Sequence, residues 1–455
     1  MRTRTAVLLV SSCIAMWAQQ TTLTVNDAVQ QAVAKYPAVR GSLEQVAAAA
    51  AGINLARTNY LPRADFLGQV NRATHNNVFG LLLPQSVIPT ISGPVLGTNS
   101  LNNVWSTATG ALVSWEPFDF GLRAANVGSA RASHSRAVAE VGVTKLQVAT
   151  AAADTFLTIQ AAQQTLLAAQ AGVDRATTLN KVIETLVTNE LRPGADASRT
   201  RAELALAQTQ LIRAEQAVDV GRAALAQFLG IATVGISFDP GPLLQMPPQD
   251  EPLTTPTAQH PLAQVQGAAI EEVKARERIL DRSYYPRFNL QGAGYARGTG
   301  VQSDGSTGGP LSGLGPNTQN WALGFSVSFA AFDLFSLREK KSIEAANERA
   351  QSARYSQVVQ DLQADVEKAR AVLNGSRRVA QNTPIQLEAA RAAEQQATAR
   401  YKAGLASIVE VAEAQRLLTQ SQIDDSLARL GVWRALLGVG AAQGDLTGFL
   451  TQASK

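Results

Sequence analysis

The stretch Trp321-Ala-Leu-Gly-Phe-Ser-Val-Ser-Phe329 decides which architecture this sequence favours. Successive side chains of a β-strand point to opposite faces of a sheet. One face of this stretch would therefore carry large apolar side chains, and the other face would carry alanine, glycine and two serines. Such a division is typical of a strand that has lipid on one side and water on the other.

Three more segments show strand patterns. Trp105 and Trp115 share one face and bracket a span of ten residues in the first half of the chain. At about 3.3 Å per residue and a tilt near 45°, this span projects to roughly 23 Å, close to the apolar band of an outer-membrane barrel. A third strand begins at Arg287, and the segment 64–74 is the least regular of the four. The predicted lipid-facing residues are Trp105, Val113, Trp115, Phe288, Leu290, Trp321, Leu323, Phe325, Val327 and Phe329.

The chain contains an internal repeat. Pro37 and Pro62 recur as Pro261 and Pro286 at the same offset of 224 residues. Each half is predicted to contain a helix, two strands joined by a loop, a long helix, a turn and a further helix. We predict a first repeat at 19–245, with a β-hairpin at about 64–116, and a second at 246–455, with a hairpin at about 287–331.

The long predicted helices are unlike those that form the core of a compact domain. No proline interrupts the sequence from Gly121 to about Thr188, and a helix of that length would extend about 100 Å. The stretch from Ser336 to Lys402 has a similar length and is interrupted only by Asn374-Gly375 and Pro384. Helices of this length are expected in coiled coils, bundles or tubes.

The N-terminus predicts export. A short basic region and the apolar run Ala6–Trp17 are typical of a secretory signal at residues 1–18. The alternative is a lipoprotein signal that ends before Cys13, because Val10-Ser-Ser-Cys13 resembles a bacterial lipobox. No later stretch has the 18 or more uninterrupted apolar residues that predict a membrane-spanning helix.

Composition and motifs argue against several functions. The net charge of +4 is modest, and no basic patch indicates nucleic-acid binding. The three histidines are far apart, so no metal site or other cofactor is predicted. Gly292-Ala-Gly-Tyr-Ala-Arg-Gly298 lacks the spacing of a dinucleotide fingerprint and continues into a Gly/Ser-rich loop. We therefore do not expect an enzyme.

Four strands are too few to close a membrane barrel, which starts at about eight strands. An open sheet edge in lipid would leave backbone groups without hydrogen bonds, so copies of the chain would have to complete the barrel. Two copies would supply eight strands, and three would supply twelve. The residues opposite the apolar face of the third strand, Arg287, Asn289, Gln291 and Tyr295, are predicted to face the lumen.

In this order and in two repeats, four motifs resemble the TolC-like outer membrane efflux proteins (outer membrane factors) over nearly the whole mature chain. They are Leu61-Pro-Arg63, Tyr285-Pro-Arg287, Trp115-Glu-Pro-Phe-Asp-Phe-Gly121 and the segment Tyr401–Gln415. The resemblance implies a homotrimer, with a twelve-stranded β-barrel in outer-membrane lipid continued by a long α-helical periplasmic tunnel. It also implies two partners, an inner-membrane transporter and a periplasmic adaptor (membrane fusion) protein.

The resemblance further implies a gate at the helical tips. Tyr401 matches a tyrosine of the family's gate-closing contacts, and Glu410 and Glu413 would form a ring of six carboxylates in a trimer. The arginine expected after the glycine of this tip is replaced by Ala406, so that ionic contact is not expected here. The turns expected to face the adaptor contain Arg192, Pro193, Gly194, Gly404, Leu405, Ala406 and Ser407.

Two functional hypotheses follow. The first is an outer-membrane channel that passively conducts substrates as one component of a tripartite efflux or secretion system. The alternative is an exported helical scaffold that binds partners without conducting. Insertion of the hairpins into the membrane distinguishes them, because only the channel requires it.

Overall fold

A computed structural model of the chain describes residues 22–74, 102–232, 237–248, 257–302 and 306–454. The predicted signal at residues 1–18, Cys13 and most of the loop predicted between the first two strands lie outside these residues. The chain divides into two compact units. The first comprises Met1–Ser42, Glu140–Gln264 and Val358–Lys455, and the second comprises Leu43–Ala139 and Val265–Gln357.

The elements are numbered in chain order. The helices are α1 Val25–Lys35, α2 Pro37–Thr58, α3 Leu122–Thr188, α4 Gly194–Leu229, α5 Pro261–Arg282, α6 Asp333–Lys402, α7 Ile408–Gln443 and α8 Thr447–Ala453. The strands are β1 Thr22–Leu23, β2 Arg63–Thr74, β3 Asn103–Trp115, β4 Ser237–Phe238, β5 Arg287–Thr299 and β6 Thr318–Ser328. The predicted order of helix, two strands, long helix and helix occurs twice, from α2 to α4 and from α5 to α7. The stretch around Gly292 and Gly294 is a strand, as predicted, and not a phosphate-binding loop.

The first unit is helical and has a continuous apolar core. Trp433 of α7 is 1% exposed, and its indole Nε1 donates a hydrogen bond of 2.9 Å to the carbonyl oxygen of Gln245. Phe156 of α3 is fully buried and packs edge-on against Phe238, with ring centroids 5.8 Å apart. The short parallel pair formed by β1 and β4 was not predicted from the sequence.

The second unit contains a four-stranded antiparallel sheet in the order β2-β3-β5-β6. Directly opposed residues of neighbouring strands place their side chains on the same face. Phe66 opposes Ala111, Ala111 opposes Gly294, and Gly294 opposes Trp321, so one register line crosses all four strands. The outer strands β2 and β6 each have one edge without a strand partner among the described residues.

The two longest helices run without a break. α3 has 67 residues and α6 has 70, so each extends about 100 Å. Asn374-Gly375 and Pro384, which interrupt the helix-favouring sequence of this stretch, both lie inside α6. A proline inside a helix removes one backbone hydrogen bond and costs about 3 kcal/mol. The packing of α6 offsets this cost, since Thr383 is buried and its hydroxyl donates to Asp425 Oδ1 of α7 over 3.2 Å.

Candidate functional site

Two tight turns in the first unit contain the residues predicted to face an adaptor. Between α3 and α4, Glu190 adopts a positive φ of 60°, and the amide of Leu191 donates to the carbonyl of Leu186 over 2.8 Å. Pro193 is the N-cap residue of α4, which begins at Gly194. Pro193 suits this position because a residue at the start of a helix has no intrahelical acceptor for an N–H group. Leu191 is 68% exposed, so the turn presents an apolar side chain to its surroundings.

The turn between α6 and α7 is fixed by a glycine and a capping box. Gly404 has a φ of 75°, which a side chain would strain, and the amide of Leu405 donates to the carbonyl of Arg400 over 2.8 Å. Ser407 Oγ accepts a hydrogen bond from the amide of Glu410 over 3.4 Å, and Glu410 Oε1 accepts one from the amide of Ser407 over 3.1 Å. Glu410 therefore helps to start α7.

A small apolar cluster holds the two turns together within the first unit. Tyr401, Ile183, Ala197, Ile408 and Val411 are buried in it, and they come from α3, α4, α6 and α7. Four helices thus meet at one tip. This cluster brings the predicted gate residue Tyr401 next to both predicted turns.

Tyr401 is 6% exposed and contacts Arg192 of the first turn. The Arg192 guanidinium carbon lies 4.8 Å from the centre of the Tyr401 ring, within the range of a cation–π interaction. The Tyr401 hydroxyl has no hydrogen-bond partner among the described residues. Burial raises the pKa of the hydroxyl, Arg192 lowers it by its positive charge, and Asp196 raises it, with a net increase. Tyr401 is therefore neutral at physiological pH.

Both predicted gate carboxylates are exposed and have a cation nearby. Glu410 Oε2 lies 3.7 Å from Arg400 Nη1, and Glu413 Oε2 lies 3.6 Å from Arg416 Nη2. Arg400 also donates to the carbonyl of Leu405 over 3.3 Å. Sequence reasoning missed Arg400 and Arg192 as partners. The capping box was detectable as Ser407-Ile-Val-Glu410, whereas the Arg192–Tyr401 contact had no local signal.

The register of the sheet assigns the predicted strand residues to faces. The residues predicted to face lipid all lie on the face shared by Phe66 and Trp321, except that Phe329 follows the end of β6. Trp321 is 82% exposed and Leu323 is 71% exposed, so this face is uncovered at β6 in the single chain. Trp105 is half-buried, and Arg72 stacks over its ring at 5.0 Å. Arg287, Asn289, Gln291 and Tyr295 lie together on the opposite face.

The junction between β3 and α3 is fixed by a buried ion pair. Asp119 Oδ2 accepts hydrogen bonds from the Arg123 amide over 2.6 Å and from Arg123 Nε over 2.9 Å. Asp119 Oδ1 accepts a third from the amide of Gly121 over 3.1 Å. Burial raises the pKa of the Asp119 carboxyl, but these hydrogen bonds outweigh burial, so the pKa lies below its ordinary value. The carboxylate thereby caps α3 at the point where the strand ends.

Phe120 completes the same junction. Its φ of 49° is unusual for an aromatic residue, and its ring stacks on Tyr285 with centroids 4.9 Å apart. Phe118 and Phe288 join this aromatic cluster. The motif from Trp115 to Gly121 thus serves to turn the chain from strand to helix.

The residues that the structure describes contain neither a helix suited to span a membrane nor a cluster suited to bind a metal ion. No helix there combines the length and the apolar character that crossing a membrane requires. No group of three or more histidine, cysteine, aspartate or glutamate side chains in the same part of the chain is placed to hold a metal ion.

Comparison with known proteins identifies the fold. The outer membrane efflux protein family matches residues 28–231 and 257–444. The structure of the outer-membrane channel OprN is 20% identical, with 94% of this chain and 91% of that chain covered at a TM-score of 0.70. The Campylobacter jejuni CmeC outer membrane channel is 14% identical, with 95% of this chain and 89% of that chain covered at a TM-score of 0.71. The Neisseria gonorrhoeae MtrE outer membrane channel in its open state is 17% identical, with 93% of this chain and 89% of that chain covered at a TM-score of 0.67. No curated protein sequence matches the chain.

The paired long helices and the two-faced sheet therefore define the fold class of outer-membrane channels, with membrane-barrel strands followed by a long helical part. The chain belongs to the outer membrane efflux protein family. Its location is accordingly the outer membrane, from which it extends into the periplasm.

Proposed function

We propose that three copies of this chain form a passive outer-membrane channel, which receives substrates from an inner-membrane transporter through a periplasmic adaptor. The observation that supports it most strongly is the sheet. It has one uncovered apolar face and two edges, on β2 and β6, that no strand pairs among the described residues. In lipid such edges are costly, and joining β6 of one copy to β2 of the next removes them.

In this proposal the apolar face, which includes Trp321 and Leu323 on the outer strand β6, contacts lipid, and the polar face lines the lumen. The two turns at the helical tip, around Gly194 and Gly404, contact the adaptor. Their surfaces suit a protein partner, because Leu191 and Leu405 are 68% and 71% exposed. The tip itself is the gate, held shut in part by the contact between Arg192 and Tyr401.

Membrane insertion and conductance test this function. The mature protein is expected in the outer-membrane fraction as a detergent-stable trimer whose mobility on a gel changes after heating. Reconstituted in a planar bilayer, it is expected to conduct ions. Recovery of the whole protein in the soluble fraction, with no such trimer, would contradict the channel and favour a non-conducting scaffold.

The gate carboxylates give a sharper prediction. Replacing both Glu410 and Glu413 with glutamine removes six negative charges from a trimer, while a glutamine at Glu410 can still complete the capping box. We expect the permeability ratio of potassium over chloride to fall by about fivefold, because charges near a narrow aperture act at short range. Block by divalent cations is expected to weaken as well. The measurement is the reversal potential in a salt gradient.

The matched control is the double variant Asp365→Asn and Glu367→Gln on α6, where both carboxylates are exposed and lie 3.0 Å from Lys368 and Arg370, respectively. It removes two negative charges from each chain at positions away from the tip, and we expect no change in ion preference. If the Glu410→Gln and Glu413→Gln variant keeps the ion preference and divalent sensitivity of the unmodified trimer, these residues do not line the aperture.

A further inference from the structure

The polar face of the sheet has an unbalanced charge. The strand register places Arg63 and Asp65 of β2 and Arg287 and Arg297 of β5 on this face, and β3 and β6 contribute no charged residue. The remaining arginine of the sheet, Arg72, lies on the apolar face, opposite Trp105. The polar face therefore carries three arginines against one aspartate.

Two of these arginines hold equivalent positions in the repeats. Arg63 and Arg287 are the first residues of β2 and β5, and each follows a proline that ends the preceding segment. Asp65 neutralises Arg63, since its carboxylate Oδ2 lies 3.0 Å from Arg63 Nε. The residue equivalent to Asp65 in the second repeat is Asn289, and Arg287 is exposed with no carboxylate partner among the described residues. β5 therefore begins with a positive charge and lacks the neighbouring carboxylate that β2 supplies to Arg63.

We propose that Arg287 and Arg297 make the lumen of the barrel selective for anionic solutes, with Arg287 forming a positive ring at the end where the strands join the helices. This inference rests on the proposed trimeric channel. Rings of arginine or lysine side chains favour anions in pores, just as carboxylate rings favour cations. The expected ligand class is an organic or inorganic anion, such as a carboxylate, sulfonate or phosphate ester, that passes the ring in transit.

The charge pattern predicts that two regions of the proposed conduction pathway prefer ions of opposite sign. The tip carries Glu410 and Glu413, which favour cations in the proposed gate, whereas the polar face of the sheet favours anions. Solutes bearing both an amine and an acidic group would satisfy both regions. The two regions are independent, because the variants that test them lie in different units of the chain.

Local reactivity measures the potential at Arg287 without requiring conductance. Asn289→Cys places a thiol two residues from Arg287 on the same face. Under either prediction for the N-terminus, Cys13, the only native cysteine, is removed with the signal or lipidated and supplies no competing thiol. Methanethiosulfonate reagents with a sulfonate or a trimethylammonium group react with this thiol at rates that report the local potential.

With Arg287 present, the sulfonate reagent is expected to react faster than the cationic reagent, relative to their rates with a free thiol. Arg287→Gln should lower this rate ratio by about threefold, and Arg287→Lys should preserve it, because only the charge matters. Arg72→Gln removes the same charge from the opposite face and should leave the ratio unchanged. A ratio that is equal in the unmodified and Arg287→Gln backgrounds overturns the proposal.

Bilayer recordings then test selectivity itself. Arg287→Gln is expected to shift the reversal potential toward cation preference, and Asp65→Asn should shift it toward anion preference by freeing Arg63. If the trimer conducts and both variants retain the original reversal potential, the anion selectivity is wrong while the channel stands. If no conductance is found, the channel proposal fails, and an unchanged thiol reactivity ratio would show separately that Arg287 creates no positive potential.

Discussion

Gly110→Val is expected to prevent the sheet from entering the membrane. A Cβ atom at Gly110 would lie 2.7 Å from the carbonyl oxygen of Gly294 and 2.8 Å from the Cα of Tyr295. Gly110 and Tyr295 are directly opposed in the β3–β5 pair, so these are backbone atoms of the paired strand. They cannot move away without breaking the hydrogen bonds between the strands. We expect recovery from the outer-membrane fraction to fall by more than about tenfold, because overpacking costs about 1–3 kcal/mol even where neighbours yield.

Gly68→Val is the matched control. Gly68 lies in the neighbouring strand β2, and a Cβ atom there would meet nothing within 4 Å. Valine also favours strands, so this variant is expected to reach the outer membrane at the normal level and to keep its heat-dependent gel mobility. Equal recovery of the two variants would show that the close approach at Gly110 does not limit assembly of the sheet.

Gly444→Ala is expected to destabilise the first unit strongly. Gly444 ends α7 with a φ of 80°, and an added Cβ atom would lie 2.7 Å from His260 Cδ2 and 2.8 Å from Pro261 Cδ. His260 is itself fixed, since its Nδ1 accepts a hydrogen bond of 3.1 Å from the amide of Leu262 and its Nε2 lies 3.4 Å from the carbonyl oxygen of Ala441. We expect a loss of about 3 kcal/mol, measured as a lower midpoint of thermal unfolding by circular dichroism.

The loss at Gly444 has two causes, the left-handed backbone conformation and the close contact with His260 and Pro261, and Gly230→Ala separates them. Gly230 ends α4 with a φ of 64°, and a Cβ atom there would meet nothing within 4 Å. This variant therefore has the left-handed backbone without the contact, and it is expected to cost only about 1 kcal/mol. If both variants lower the midpoint equally, the packing of His260 against Gly444 contributes nothing beyond the backbone conformation.

Periodicity in the sequence was sufficient to predict the sheet and the long helices. The alternation from Trp321 to Phe329 depends only on strand geometry, and the register confirms that Trp321, Leu323, Phe325 and Val327 share a face. Pro384 shows where local rules fail. A proline usually ends a helix, but α6 continues because buried contacts such as Thr383 to Asp425 on α7 hold its segments on both sides.

The tip shows the same division between local and distant information. The capping role of Glu410 follows from residues three positions apart, so the sequence contains it. The stacking of Arg192 on Tyr401 joins two different helical hairpins, and no pattern within either hairpin specifies it. Likewise, the sequence shows that Ala406 occupies the position at which an arginine was expected after Gly404. Only the fold shows that Arg400 approaches Glu410 from the preceding helix.

The edges of β2 and β6, which have no strand partner among the described residues, would also govern the kinetics of folding in the proposed trimer. A solitary chain in a bilayer has no partner for the backbone groups along these edges, and each unsatisfied group costs several kcal/mol. In the proposed trimer, completing the sheet is therefore an encounter between chains and not a rearrangement within one chain. The rate of membrane insertion should therefore rise more steeply than in proportion to the chain concentration. Dilution alone would then stop the insertion of a chain that can otherwise fold.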